Sequence, residues 1–275
     1  MTPRRTSVFA LLALGVAATP LRAEYADVNG LHMYYEIHGS GPPIVLLHGG
    51  GSTIETSFAG YWPALAKSRK VIAVEEQAHG RTADIDRPLR FEQTADDVAA
   101  LLRRLGVEQA DIFGYSNGGS TALQIAIRHP KLVRKLVVMS AIYKADGMPP
   151  AFWESMKKAS LADMPAELKD AYLRVAPHPE QLQVMHDKCV ARMLAFKDWP
   201  DEQIAGIAAP TLVLVGDADV VRPEHAVEMY RRLPHAQLAV LPGVDHMSIV
   251  KRTALPLAMI EAFLDEPAPS AAPRP

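Results

Sequence analysis

The chain alternates between short apolar runs and longer stretches of helical period. LHMYYEIHGSGPP, residues 31–43, alternates polar with apolar positions and then turns at a Gly/Pro corner, as a strand does. PIVLLHGGG (43–51) is a continuous apolar run closing on glycines, the mark of a strand buried on both faces, and KVIAVEEQ (70–77) repeats it. FEQTADDVAALLRRLGV (91–107) sets Val98, Leu101, Leu102 and Leu105 on one helical face and stops at Gly106. ADIFGYS (110–116) predicts a strand, NGGSTALQIAIRHP (117–130) a helix and KLVVMSAI (135–142) another strand. Such an alternation predicts an α/β fold: a mostly parallel central sheet with helices on both faces.

The pattern breaks near Tyr143. From Lys144 to Gly206 no strand period is present, only short helical stretches divided by Pro149, Pro150, Pro165, Pro177, Pro179 and Pro200. It resumes with APTLVLVGDAD (strand), RPEHAVEMYRRLP (helix), AQLAVLPGVDH (strand) and SIVKRTALPLAMIEAFL (helix). The expected organisation is a core over 24–143 and 207–266, an inserted α-helical cap over 144–206, and a Pro/Ala-rich disordered tail over 267–275.

The first residues stand apart. Arg4 and Arg5, an apolar run from Val8 to Ala18 and small residues before Ala23 have the build of a secretory signal peptide over 1–23, with a cut after Ala18 as the alternative. The run is too short for a stable transmembrane helix. Losing Arg4, Arg5 and Arg22 from 29 basic against 31 acidic residues moves the formal net charge from −2 to −5. An acidic protein without basic runs has no nucleic-acid or anionic-membrane surface to offer, so the expected partner is a small molecule. The expected location is secreted or periplasmic, without a stable membrane anchor. The single cysteine, Cys189, allows neither an internal disulfide nor a cysteine metal cluster.

In an open parallel sheet, ligands bind where strands end. The strand ends here carry His48-Gly49-Gly50-Gly51, then Ser116, then Asp217 and Asp219, then Asp245 and His246. Ser116 sits in Gly114-x-Ser116-x-Gly118, with Gly119 following. Two readings compete: a helix cap, or a tight turn whose glycines let backbone press on backbone and expose a nucleophilic hydroxyl.

Four motifs in this order resemble the α/β-hydrolase family over about Tyr34 to Leu264, whose nucleophile, acid and histidine follow one another in the same way. The resemblance implies Ser116 as nucleophile and His246 as base. It implies Asp219 as the orienting acid, third after Gly216, with Asp217 as the fallback. Asp245, adjacent to His246, is expected to be structural. Oxyanion donors are implied at the Asn117 amide and at Gly50, with Gly51 as the near alternative. His48 is expected to hold its loop by hydrogen bonds. Where relatives often read Asp-x-Arg-Gly-His-Gly-x-Ser, this chain has EEQAHGRT (75–82), with Gln77 for an arginine and Ala78 for a glycine. Glu75 and Glu76 are either loop anchors or part of the acyl pocket.

The insertion holds Met148, Met156, Met164, Met185 and Met193, five of eleven methionines, with Phe152, Trp153, Phe196 and Trp199. Thioethers and aromatics suit an adaptable apolar pocket, or simply glue the inserted helices together. His178, His186 and Cys189 lack the further spaced ligands a metal site needs, so no metal and no organic cofactor is expected. The resulting expectation is an exported serine hydrolase cleaving small to medium, largely apolar carboxylic esters through an acyl-enzyme. The alternatives are the same residues acting as a carbon–carbon hydrolase, lactonase or perhydrolase, and a non-catalytic binding protein.

Overall fold

The structure, a computed structural model, describes residues 22–267. The expected leader therefore lies outside the described residues except for Arg22 and Ala23, and the expected tail except for Pro267. Eight strands form one sheet: β1 (Arg22–Val28), β2 (Leu31–His38), β3 (Pro43–Leu47), β4 (Lys70–Val74), β5 (Ala110–Tyr115), β6 (Val133–Met139), β7 (Thr211–Gly216) and β8 (Ala236–Leu241). Their order is β1-β2-β4-β3-β5-β6-β7-β8. β1 and β2 pair antiparallel, as do β2 and β4, and every other neighbouring pair is parallel. Ile44 to Leu47 of β3 and all of β5 are buried, as their unbroken apolar runs require of strands covered on both faces.

The helices are α1 (Ile54–Phe58), α2 (Trp62–Leu65), α3 (Phe91–Arg104), α4 (Asn117–Arg128), α5 (Pro150–Met156), α6 (Ala166–Val175), α7 (Leu182–Leu194), α8 (Asp201–Ala205), α9 (Pro223–Arg232) and α10 (Ala254–Asp265). Two apolar clusters lie on the two faces of the sheet. One gathers Val98, Leu101 and Leu102 of α3 with Leu123 of α4, and the other Phe58 and Tyr61 with Ile260 and Phe263 of α10. Helices α5 to α8 occupy the stretch between β6 and β7.

Two departures have local causes. β1 carries no clear period: Tyr25 and Asp27 face solvent while small Ala26 and Val28 face the core, so its apolar signal is weak. The helix expected from Ser248 begins only at Ala254, because residues 245–248 form a turn in which Asp245 Oδ1 accepts from the amides of Met247 and Ser248. That late start places Pro256 in the first turn, where no intrahelical N–H is lost.

Candidate active site

Ser116 links β5 to α4 and takes φ +55°, a conformation that costs a non-glycine residue free energy. Its side chain makes no capping bond to the helix, which decides against the helix-cap reading. The neighbouring glycines are sterically required. A Cβ on Gly114 would stand 2.1 Å from the Gly118 carbonyl oxygen, and one on Gly118 would stand 2.0 Å from that of Leu47. With backbone packed this closely, the serine hydroxyl is held at the apex of the turn.

The expected partners meet there. His246 Nε2 lies 2.9 Å from Ser116 Oγ, and His246 Nδ1 lies 2.7 Å from Asp219 Oδ1. The carboxylate can only accept, so Nδ1 carries the proton and Nε2 presents its lone pair to the serine. The Asp219 side chain is fully buried. Burial alone would raise its pKa. Bonds from His246, from Ser140 Oγ (2.6 Å) and from the Val221 amide (2.9 Å) outweigh burial and hold the carboxyl below its ordinary range. Asp217 is engaged elsewhere, accepting from the Gly243 amide at 2.7 Å, and Asp245 closes its own turn. Two participants escape a reading of motifs. Ser140, itself at φ +55°, anchors the acid, and the Tyr115 hydroxyl donates to the His246 carbonyl at 2.6 Å. Ser140 is the residue just past β6, so extending the strand-end rule to that strand points to it; Tyr115 leaves no comparable signal.

The glycine loop after β3 is gripped from below by two buried histidines. His48 Nε2 accepts from the Glu76 amide (3.1 Å) and Nδ1 donates to the Gly49 carbonyl (2.8 Å). His79 Nε2 accepts from the Gly51 amide (3.0 Å), while its Nδ1 donates to the Gln77 carbonyl (2.8 Å). Burial pushes both rings down to about 4, so both are neutral near pH 7. The Gly51 N–H is committed to His79, which leaves the Gly50 amide as the expected donor of the two. Gly50 sits against Asn117: a Cβ on it would fall 2.3 Å from Asn117 Nδ2. The Asn117 amide opens α4, where first-turn N–H groups have no intrahelical acceptor.

Glu75 and Glu76 are loop anchors, fully buried and absent from the cavity wall. Glu75 accepts from the Arg81 backbone and side chain, and burial lifts its pKa to about 7. Burial would raise Glu76 as well, but the Arg192 guanidinium 2.9 Å away prevails and holds it low. Ala78, in the place of a glycine, keeps the left-handed conformation at φ +65°. Gln77 bonds to Asp84, Arg87 and two carbonyls of the following loop.

Ser116, Asn117, Gly50 and His246 open into a cavity of about 280 Å³. Its far wall belongs to the segment between β6 and β7, where Phe152, Met156, Met185 and Met193 of the helices and Met148 and Met164 of the turns before α5 and α6 line it. Trp153, Phe196 and Trp199 instead pack against the core, with Phe196 against Trp199 and Trp153 against Phe152. His178, His186 and Cys189 do not converge: their neighbours are Glu180, Asp187 and His79 respectively. Among the described residues Asp146, His225 and Glu228 do draw together. However, His225 Nε2 accepts from the Tyr143 amide, so Nδ1 carries a proton and offers a metal no lone pair.

A sequence model of the alpha/beta hydrolase fold matches residues 42–187, more than half of the chain. The 2-hydroxymuconate semialdehyde hydrolase of Pseudomonas sp. (strain CF600) is 28% identical over 83% of this chain and 88% of that protein. Serine hydrolase BPHL of Mus musculus is 27% identical over 83% of this chain and 81% of that protein. Among solved structures, the enol-lactonase from Burkholderia xenovorans LB400 superposes with a TM-score of 0.72 at 23% identity, covering 88% of this chain and all of that one.

Proposed function

The chain belongs to the alpha/beta hydrolase fold family and is an enzyme of the hydrolase type, and from that premise we propose that it is a serine esterase acting on small to medium, largely apolar carboxylic esters. The observation that carries this reading is the Ser116–His246–Asp219 hydrogen-bond chain, 2.9 and 2.7 Å long, opening into a methionine-lined cavity. Ser116 Oγ attacks the ester carbonyl as its proton passes to His246 Nε2. The negative charge on the carbonyl oxygen is met by the amides of Gly50 and Asn117, set in place before the reaction. His246 returns the proton to the departing alcohol, and the same ring then activates the water that releases the acid. Asp219, held by Ser140, keeps the imidazole in the required tautomer and stabilises the imidazolium.

Turnover of p-nitrophenyl acetate and butyrate by the wild type and by Ser116→Ala tests the reading. Hydrolysis that the substitution abolishes supports it; hydrolysis that survives the substitution refutes it. A carbon–carbon bond hydrolase is the second reading, favoured by the likeness to the 2-hydroxymuconate semialdehyde hydrolase. Cleavage of a vinylogous diketone in preference to a matched ester would select it.

Export is part of the proposal, resting on Arg4, Arg5 and the apolar run to Ala18. Because β1 begins at Arg22, a cut after Ala18 keeps the strand whole, whereas a cut after Ala23 removes its first two residues. Mass spectrometry of the protein from the exporting cell, expected to find a mature chain beginning at Thr19, checks this; a full-length chain retained in the cytoplasm contradicts it.

A further inference from the structure

The inserted helix α7 reaches through to the loop that carries the expected oxyanion donor. Arg192 stands near its end with a side chain 1% exposed, and Nη1 pairs with Glu76 Oε2 at 2.9 Å. The guanidinium lies over the Phe91 ring, 4.9 Å from its centroid. Its Nε and Nη2 are buried without a hydrogen-bond partner. Leaving two donors of a buried cation unpaired is costly, and the ion pair with Glu76 alone does not explain it. Nη2 lies 3.8 Å from where a Cβ on Gly50 would stand, so the unpaired edge of the guanidinium borders the oxyanion loop.

Glu76 extends that contact. Its carboxylate also accepts from Thr121 Oγ1 of α4 (3.3 Å), and its amide donates to His48, which in turn holds the Gly49 carbonyl. One turn earlier on the same face of α7, Cys189 Sγ lies 3.2 Å from the His79 nitrogen that accepts the Gly51 amide. Two side chains of a single inserted helix thus reach the loop: Arg192 borders Gly50 directly and reaches Gly49 through Glu76 and His48, and Cys189 reaches Gly51 through His79.

We propose that Arg192 is a positioning residue for the oxyanion loop, coupling the seating of α7 to turnover, and that its unpaired guanidinium edge adds positive potential where the carbonyl oxygen gains charge. This rests on the serine-hydrolase reading above. A loop set in advance by a cation outside the cavity wall favours the transition state without touching the ground-state acyl chain. Removing the cation should therefore lower kcat and leave KM nearly unchanged.

The test compares wild type, Arg192→Lys, and the double variant Arg192→Met/Glu76→Gln, using p-nitrophenyl butyrate kinetics and the rate of fluorophosphonate labelling. The double variant removes both charges of the buried pair together, which folded proteins generally tolerate. For the folded double variant the expected result is a fall in kcat of at least about tenfold, KM within about twofold, and a labelling rate reduced in step. Arg192→Lys, which restores the charge without the fork, should fall in between. A folded double variant with wild-type kcat and labelling rate would overturn the proposal, as would one whose loss lies wholly in KM. Failure of the wild type to label at all would instead defeat the serine-hydrolase reading, so the two failures are distinguishable.

Discussion

The sheet and the inserted helices use apolar residues in opposite ways. In β3 the run Ile44 to Leu47 is 0% exposed and fixes the backbone, so that His48 and the glycine loop emerge in one position. In α6 and α7, Leu173, Val184 and Leu194 are 39–48% exposed, while Met185 and Met193 of α7, with Met164 just before α6, turn to the cavity. The sheet thus determines where the reacting atoms stand, and the insert determines the volume in front of them. Packing on both faces leaves a strand little freedom, whereas flexible thioethers on short helices can adjust to a ligand. Substitutions at strand ends should therefore affect chemistry, and substitutions in the insert should affect selectivity.

The largest effect is expected at the acid. Asp219→Asn should lower kcat by about 10⁴-fold through loss of the correct histidine tautomer, whereas Asp217→Asn, which only loosens a turn, should stay within about fivefold of wild type. Reversal of that order in steady-state kinetics would exchange the two roles. Next comes the nucleophile turn. Gly118→Ala drives a methyl to 2.0 Å from the Leu47 carbonyl oxygen and should cost about 3 kcal/mol in urea unfolding. A cost below about 1 kcal/mol would mean that the turn is slack.

The pH dependence of stability has a definite sign. Burial holds His48, His79 and His225 down to about 4, against about 6.5 for the free side chain, so each is neutral in the folded protein. Between those values the unfolded chain binds more protons than the folded one, so stability is full above about 6.5 and is lost as pH falls toward 4. The three histidines contribute up to three protons to the slope of melting temperature across this window, and His225→Asn should remove one of them. Glu75, lifted to about 7, has the opposite sign: its contribution is lost as pH rises from its ordinary value of 4.5 through 7. The smallest effect is expected in the insert. Met156→Ala or Met164→Ala should shift kcat/KM toward longer acyl chains by up to about tenfold, with kcat on acetate nearly unchanged.

Much of the sheet was legible because continuous apolar runs and glycine stops are local signals. Strands β2 to β8 and helices α3, α4, α9 and α10 follow from them, with the start of α10 displaced by six residues and β6 shifted to Val133–Met139 from the expected 135–142. β1 was hidden because its core-facing residues are small and its first two fall within the expected leader. Helices α1 and α2 were missed because four or five residues carry no readable period. At the site, Ser116, Asp219 and His246 stood at strand ends and are brought together as the chain order implied. Ser140 is legible only as the residue just past β6, not as the anchor of Asp219, and Tyr115 and Arg192 are not legible as partners. Each acts through contacts between residues 79, 131 and 116 positions apart in the chain, set by tertiary packing and not by any local pattern.

The most direct test of the central claim is the intact mass and peptide map of the protein after fluorophosphonate treatment, run beside Ser116→Ala. The account predicts one adduct per chain, located on Ser116 and missing from the variant. An unmodified wild-type protein, or an adduct on any other residue, would contradict it.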